Sequence, residues 1–281
     1  MESIRIYGEQ VTKNFGNISA LNNISFDVEG ERIAILGHNG SGKTTLMSMI
    51  LGLLNPSSGK VYINGVEPYK HHKWVSENLS FCFEKGKMPY SMTVESFLNT
   101  IKDVWGREDV INNICQSFFV NRFEHLQMNR LSTGQEQILY ILTAVLSSAP
   151  ILFLDEPFTH LDTFVSSGIY DYLLSSGKNL VITTQSIEEA ETLADSFLVI
   201  GGGKLIWQGD KDELYDDETF EVMPIGNTLD TFNLEVLYTI ERRIICKSTE
   251  EKLSKLLMDH KIMGFRRAGL RKIYGKTGQN H

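Results

Sequence analysis

Ile151-Leu152-Phe153-Leu154 runs directly into Asp155-Glu156-Pro157, an apolar tetrad ending in adjacent carboxylates. Such a run reads as a buried strand that delivers both acids to a sheet edge, where one can serve a metal and the other a water. Upstream, Leu131-Ser132-Thr133-Gly134-Gln135 sets a short polar turn ahead of a helix and so offers groups that bind anions. Gly37-His38-Asn39-Gly40-Ser41-Gly42-Lys43-Thr44-Thr45 fits the phosphate-loop pattern G-x-x-x-x-G-K-[ST], after apolar residues 33–36 and before the apolar residues 46–50. Its glycines let successive backbone N–H groups turn inward around phosphate oxygens, and the helix N-terminus adds partial positive charge. Lys43 supplies a mobile full charge. Thr44 places a hydroxyl where Mg²⁺ bridging two phosphates would sit, and Thr45 can hydrogen-bond a phosphate nearer the nucleoside.

Positioning these groups requires a sheet whose strands end together. From residue 151 the pattern predicts an apolar strand, a helix from about Thr163, a strand over 179–184, a helix over 187–194 and a strand over 197–200. That alternation implies βαβ units and a parallel core with the binding site at its carboxyl edge. Gly201-Gly202-Gly203 has no following Lys and helix, so it reads as a turn into a second hairpin strand over 204–209. Residues 2–36 carry apolar and β-branched segments broken by Gly8, Gly16 and Gly30, which predict short strands and turns. Residues 59–65 alternate like a hairpin strand. Phe97, Ile101 and Val104, then Ile111, Ile114 and Phe118, recur at helical spacing and predict a helical insert. Beyond about 220, residues 234–240 and 243–246 read as strands. Ser248 with Glu251 makes a capping box for an amphipathic helix through Leu253, Leu256 and Leu257.

With these segments together, the chain resembles the nucleotide-binding subunit of an ATP-binding-cassette (ABC) transporter over roughly residues 1 to 210. The resemblance implies an α/β P-loop NTPase fold of ABC type: a mainly parallel core sheet, an antiparallel β subdomain, a helical subdomain at about 88–135, and a small C-terminal α+β appendage. On this view the nucleotide-binding domain spans 1–220 and an accessory region 221–281. In the family the Leu131 to Gln135 loop closes over ATP held by the opposite subunit, so Ser132, Gly134 and Gln135 would serve another chain's nucleotide. His160-Leu161-Asp162 resembles the loop at the dimer seam, and Phe15 the aromatic residue that stacks on adenine. Glu156 would orient the lytic water, while Thr44 and Asp155 would fix Mg²⁺ directly or through water.

Two departures from the family pattern stand in this pocket. Glu84 ends residues 79–84 where the family has a Gln that touches Mg²⁺ and the membrane partner; a carboxylate can still give the metal an oxygen but loses the amide donor. Gln185 stands where the family has its switch histidine; it can donate a hydrogen bond to a γ-phosphate but carries no charge. Either Mg-ATP is bound well and hydrolysed slowly, or both residues are tolerated variants of a fully active ATPase.

At 281 residues and 42% hydrophobic, the chain accommodates one cassette and an appendage. Each motif occurs once, so a composite site needs a second nucleotide-binding subunit, identical or homologous. The apolar run at 138–146 falls well short of the roughly twenty residues a membrane helix needs. With no signal-like amino terminus, the expectation is a cytoplasmic protein held peripherally on the inner face of the membrane by a separate transmembrane permease subunit. Cys82, Cys115 and Cys246 read as reduced structural thiols. A net charge of −8 disfavours a general nucleic-acid binder. The acids between Asp210 and Glu221 read as a solvated connection between domains, and the bases from Lys261 to Lys276 as a solvated tail or a surface for anionic headgroups or an acidic partner loop. The Leu-Ser-Thr-Gly-Gln variant and short tail are reminiscent of ABC-2-type export cassettes. The alternatives are a catalytically silent member of a heterodimeric pair and a soluble cassette protein without a membrane partner.

Overall fold

The structure is a computed structural model that describes residues 2–84, 91–215, 218–225, 234–240 and 242–274. Its first two strands, β1 (Ile4–Phe15) and β2 (Ile18–Gly30), are long and antiparallel, from Ile4 opposite Gly30 to Phe15 opposite Ile18. Of the three glycines that suggested breaks, Gly16 and Gly30 mark the ends of strands and Gly8 does not. Gly8 stays within β1 because a Cβ there would lie 2.2 Å from the Phe26 ring, and Gly16 adopts φ 60° in the hairpin turn. Register shifts after Gly8 absorb the irregularity without ending the strand.

β3 (Arg32–Leu36) leads through the glycine loop into α1 (Lys43–Ile50), and β4 (Ser58–Ile63) follows. Instead of forming a hairpin with a sequence neighbour, β4 joins β1, with Ile6 opposite Ile63. Then come α2 (His72–Asn78), β5 (Leu79–Cys82), α3 (Val94–Trp105), α4 (Glu108–Ser117) and α5 (Thr133–Leu146). Ile101, Ile111 and Ile114 point into the core as their spacing predicts and Phe97 packs partly buried against it, but Val104 is 71% exposed, because the apolar face of α3 ends one turn earlier. Phe118 lies just past α4 and is fully buried, edge-to-face with Tyr172.

Strand and helix next alternate as expected: β6 (Ile151–Asp155), α6 (Thr163–Ser175), β7 (Asn179–Thr184), α7 (Ile187–Leu193) and β8 (Ser196–Gly201). β9 (Lys204–Asp210) returns antiparallel to β8 after the turn at Gly202 and Gly203. The sheet order is β5-β6-β7-β3-β8-β9, parallel except for β9. Alternate residues of each strand face opposite cores. Ala34, Leu36, Leu152, Leu154 and Ile182 pack with the helical insert, whereas Ile33, Ile35, Phe153 and Val181 pack with α1 and the β1–β2–β4 sheet. The carboxyl ends of β3, β7 and β6 therefore meet, with Leu36 beside Thr184 and Thr183 beside Asp155.

The carboxyl-terminal part begins with α8 (Lys211–Leu214) and β10 (Thr219–Pro224), followed by β11 (Glu235–Ile240), β12 (Arg243–Lys247), α9 (Glu250–Met258), β13 (Ile262–Arg267) and α10 (Arg271–Tyr274). A four-stranded antiparallel sheet, β11-β12-β10-β13, packs against Leu253 and Leu256 of α9. The boundary expected at 220 falls inside β10, so the accessory sheet begins at Thr219. Thr249 caps α9 by accepting from Lys252 N, one residue later than the Ser248 box, and Leu257 is turned outward.

Charge in this region departs most from expectation. Glu221 is not solvated: at 1% exposure it meets Arg243 at 2.8 Å, Arg266 at 2.6 Å and Arg271 at 3.3 Å. The basic stretch is correspondingly folded into β13 and α10, with Lys276, Asp216 and Asp217 outside the described residues. Burial alone would raise the Glu221 carboxyl, but hydrogen bonds from Arg266 and Arg243 outweigh it and hold it below its ordinary 4.5. A depressed folded value contributes stability that is present above the unfolded value and lost as pH falls through the folded one. Melting followed by circular dichroism is expected to show stability falling below about pH 4.5, and Glu221→Gln to flatten that slope.

Cys82, Cys115 and Cys246 are free and buried, and burial pushes their thiols up to about 12, 11 and 11 respectively. Among the described residues no helix is long and apolar enough to cross a membrane.

Candidate functional site

The glycine loop is held open by its own geometry. Gly40 and Gly42 adopt φ 76° and 105°, which L side chains rarely adopt, and a Cβ at Gly37 would lie 2.4 Å from the Ile200 carbonyl. Lys43 opens α1 yet is only 5% exposed, with Nζ donating to the Gly37 and His38 carbonyls at 2.8 and 3.2 Å. Its ammonium also stands 2.9 Å from Glu156 Oε1, an ion pair whose angles are not those of a hydrogen bond. Ser41 Oγ is likewise buried without a hydrogen-bond partner. Two buried oxygens without hydrogen bonds beside a buried ammonium make a pocket suited to a polar ligand.

Thr44 Oγ1 donates to the Asp155 carboxylate at 3.0 and 3.2 Å, joining the start of α1 to the end of β6. Thr183 also donates to Asp155 Oδ1, and its hydroxyl accepts from Glu156 N at 3.0 Å. Burial raises the Asp155 carboxyl; bonds from Thr183 and Thr44 counter this, the Glu156 charge adds to it, and Lys43 opposes it. Glu156 itself adopts φ 47°, an uncommon conformation for a non-glycine, fixed by bonds from its N–H to the Thr183 carbonyl and hydroxyl.

Among the described residues no three His, Cys, Asp or Glu side chains gather into a metal-holding cluster. The donor set present, one hydroxyl and one carboxylate beside a phosphate loop, fits Mg²⁺, which commonly takes one or two protein ligands and completes its shell with phosphates and water. Glu84 is not gathered with these groups in such a cluster; its carboxylate lies 4.0 Å from His160 Nε2. Thr45 is partly buried in α1, and Asn39 and His38 lie exposed in the loop.

Phe15 lies at the hairpin tip, 50% exposed, with Lys13 Nζ 5.3 Å from its ring centroid. An outward ring leaves a face free to stack, unlike a core phenylalanine. The next strand ties the hairpin to the loop, because a Cβ on Gly42 would meet the Ala20 carbonyl at 2.7 Å.

The Ser132 turn lies in a different part of the fold from the phosphate loop. Ser132 caps α5, accepting from Gln135 N at 3.3 Å, while Gln135 Oε1 accepts from Ser132 N at 2.9 Å. Gly134 lies against the His160 carbonyl, where a Cβ would come within 2.7 Å. This turn lines an open cleft of about 530 Å³ with Arg122, His160 and Asp162, none of which belongs to the phosphate loop. Gln185 follows β7, between buried Thr184 and Ser186, which caps α7 by accepting from Glu189 N at 3.2 Å.

Sequence reasoning overlooked Thr183 and Thr184. Thr184 Oγ1 bonds Glu189, and its carbonyl accepts from Gly37 N at 3.2 Å. Their signal was available, since two polar residues ending an otherwise apolar strand need partners at its carboxyl edge.

A P-loop NTPase fold with paired acids at the end of β6 defines the class. Residues 21–159 match the family described as ABC transporter. Similar relatives include ABC transporter G family member 20 of Dictyostelium discoideum, 30% identical over 225 residues, 76% of this chain and 31% of that protein. A second is the sulfate/thiosulfate import ATP-binding protein CysA 1 of Agrobacterium fabrum, 32% identical over 220 residues, 73% of this chain and 63% of that protein. The chain thus spans about a third of the first relative's length and under two thirds of the second's. A solved dimer of the ATP-binding cassette MJ0796 in a post-hydrolysis state, bound to ADP and Pi, shares the fold with TM-score 0.61 at 23% identity, covering 73% of this chain and 98% of that one. Residues 21–159 thus carry the ATP-binding domain of the ABC transporter family, and the chain's relatives are ABC transporter ATP-binding proteins.

Proposed function

We propose that this chain is an ATPase subunit of a membrane transporter that binds Mg-ATP, pairs with a second cassette and uses hydrolysis to drive separate transmembrane subunits. The observation that carries the proposal is the cluster at one sheet edge of buried Lys43, Asp155 and Glu156 with the exposed Thr44 bonded to Asp155. Lys43 and the loop amides hold the phosphates, and Thr44 with Asp155 holds the metal. Mg²⁺ bound there would neutralise charge on the phosphate oxygens. Glu156 accepts a proton from, and orients, the attacking water. Gln185 donates to the γ-phosphate.

Ser132, Gly134 and Gln135 face a cleft apart from this cluster, which supports their acting on the nucleotide of a partner cassette. Pairing also has support in the solved MJ0796 cassette, described as a dimer. Export through an ABC-2-type permease is the finer part of the proposal and rests on the Leu-Ser-Thr-Gly-Gln loop. Copurification from membranes tests it: recovery of a polytopic subunit supports transport, and recovery of ribosomes or DNA alone contradicts it.

The departures at Glu84 and Gln185 favour slow hydrolysis. Gln185→His is expected to raise the single-turnover rate by about tenfold, roughly the worth of adding a charge to a hydrogen bond on phosphate. An equal rate in both proteins would remove the argument for impairment and leave Gln185 as a tolerated variant.

A further inference from the structure

The carboxyl-terminal region grips α7, the helix that Ser186 caps next to Gln185. On its polar side, α7 presents Glu188 and Glu191 to the segment between β13 and α10. Arg271 pairs with Glu188, and Glu191 Oε1 accepts from Leu270 N at 2.8 Å. Gly269 adopts φ 54° here, and a Cβ on it would push at Glu191 Oε1, 2.2 Å away. Leu270 and Ile273 sink into the main core, the same cluster that holds Ala190 and Leu193 of α7. The grip is therefore packed as well as charged.

Arg271 reaches the other way too. Its side chain is 9% exposed, and its Nε stands 3.3 Å from the buried Glu221 carboxylate, which also holds Arg243 and Arg266. Its carbonyl accepts from the Tyr238 hydroxyl on β11. One guanidinium thus spans the accessory sheet and α7, and a planar fork suits two carboxylates where an ammonium would not. The opposite end of this connection is the site. Ser186 caps α7, its N–H donates to Thr184 Oγ1 at 2.9 Å, and Gln185 lies between them. Any displacement of α7 moves that cap and hence Gln185.

We infer that Arg271 is a positioning residue for Gln185: the carboxyl-terminal sheet sets the placement of α7 through it and thereby tunes the γ-phosphate contact from outside the nucleotide pocket. The inference rests on the reading of Gln185 as that contact. It gives the appendage a regulatory role, because whatever deforms the accessory sheet changes turnover without touching ATP.

Amide hydrogen exchange and steady-state kinetics on the full chain test this together. Arg271→Gln is expected to speed exchange over residues 185–193 by about tenfold, and Glu188→Gln, at the more exposed end of the pair, by about threefold. Exchange over residues 37–50 is expected to stay unchanged. In both variants kcat is expected to change by about threefold or more while KM for ATP stays within about twofold, since Lys43 and the loop amides still hold the phosphates. Arg271→Gln leaves Glu221 with two arginines, and Glu188→Gln removes no buried charge, so both are expected to fold. Unchanged exchange over 185–193, equal acceleration over 37–50, or an unchanged kcat despite faster exchange would each overturn the positioning role. A wild-type chain without hydrolysis would instead overturn the ATPase reading, while exchange would still decide whether Arg271 anchors α7.

Discussion

Glu156→Gln is expected to slow phosphate release by about 10²- to 10⁴-fold while leaving Mg-ATP bound, the range expected for removing a positioned general base. The amide keeps the shape of the carboxylate and the backbone bonds from Glu156 N to Thr183, so the residue stays at φ 47°. What disappears is the acceptor for the water's proton. The Glu156 carboxylate is buried beside the Lys43 ammonium, and replacing it removes a negative charge where phosphate oxygens would lie. Nucleotide affinity is therefore expected to rise or hold as turnover falls, a split that a folding defect does not produce. Filter binding with labelled ATP alongside phosphate release checks both halves. Loss of binding together with turnover would show that Glu156 acts structurally.

Lys43→Ala has the second large expected effect and the opposite signature, loss of ATP itself. A charge-assisted hydrogen bond to phosphate is worth about 1.5 to 3 kcal/mol, so affinity should fall about 10- to 100-fold. Lys43 also bridges the loop carbonyls of Gly37 and His38 and neutralises Glu156 at 2.9 Å. Removing it strands a buried carboxylate, which is strongly destabilising unless the carboxylate protonates. The variant is accordingly expected to melt earlier than wild type without nucleotide, and the double variant Lys43→Ala with Glu156→Gln to recover part of that loss. Calorimetry with and without Mg-ATP separates affinity from stability.

How legible the site was depended on how local its determinants are. The phosphate loop could be read because its geometry is set by contiguous residues: glycines at 37, 40 and 42 take conformations or approaches that other residues resist. Asp155 and Glu156 could be read because four apolar residues require a buried strand, and its end is the only place for two acids. The Ser132 turn ahead of a helix was read as well, but not the capping box that Ser132 makes with Gln135 three residues on. The β1–β2 hairpin was misjudged as short strands because Gly8 looked like a break, whereas the Phe26 ring that demands it lies on the other strand. Glu221 and Arg271 were read as solvated charges because nothing local says otherwise. Their partners lie 22 to 83 residues away, at Arg243, Arg266 and Glu188. Val104 and Leu257 show the complementary limit: helical spacing marks an apolar stripe but not where its burial stops.

The central claim is that each hydrolytic site is divided between two cassettes, Lys43 and Glu156 from one and Ser132 from the other. Mixing two defective forms of this chain tests it most directly. Lys43→Ala and Ser132→Arg are each expected to be inactive alone, yet a mixed dimer keeps one intact site, made from the wild-type Lys43 of one chain and the wild-type Ser132 of the other. With half the dimers mixed, phosphate release should recover to about a quarter of the wild-type rate at equal total chain. No recovery on mixing, or full activity of the Ser132→Arg protein by itself, would contradict the divided site.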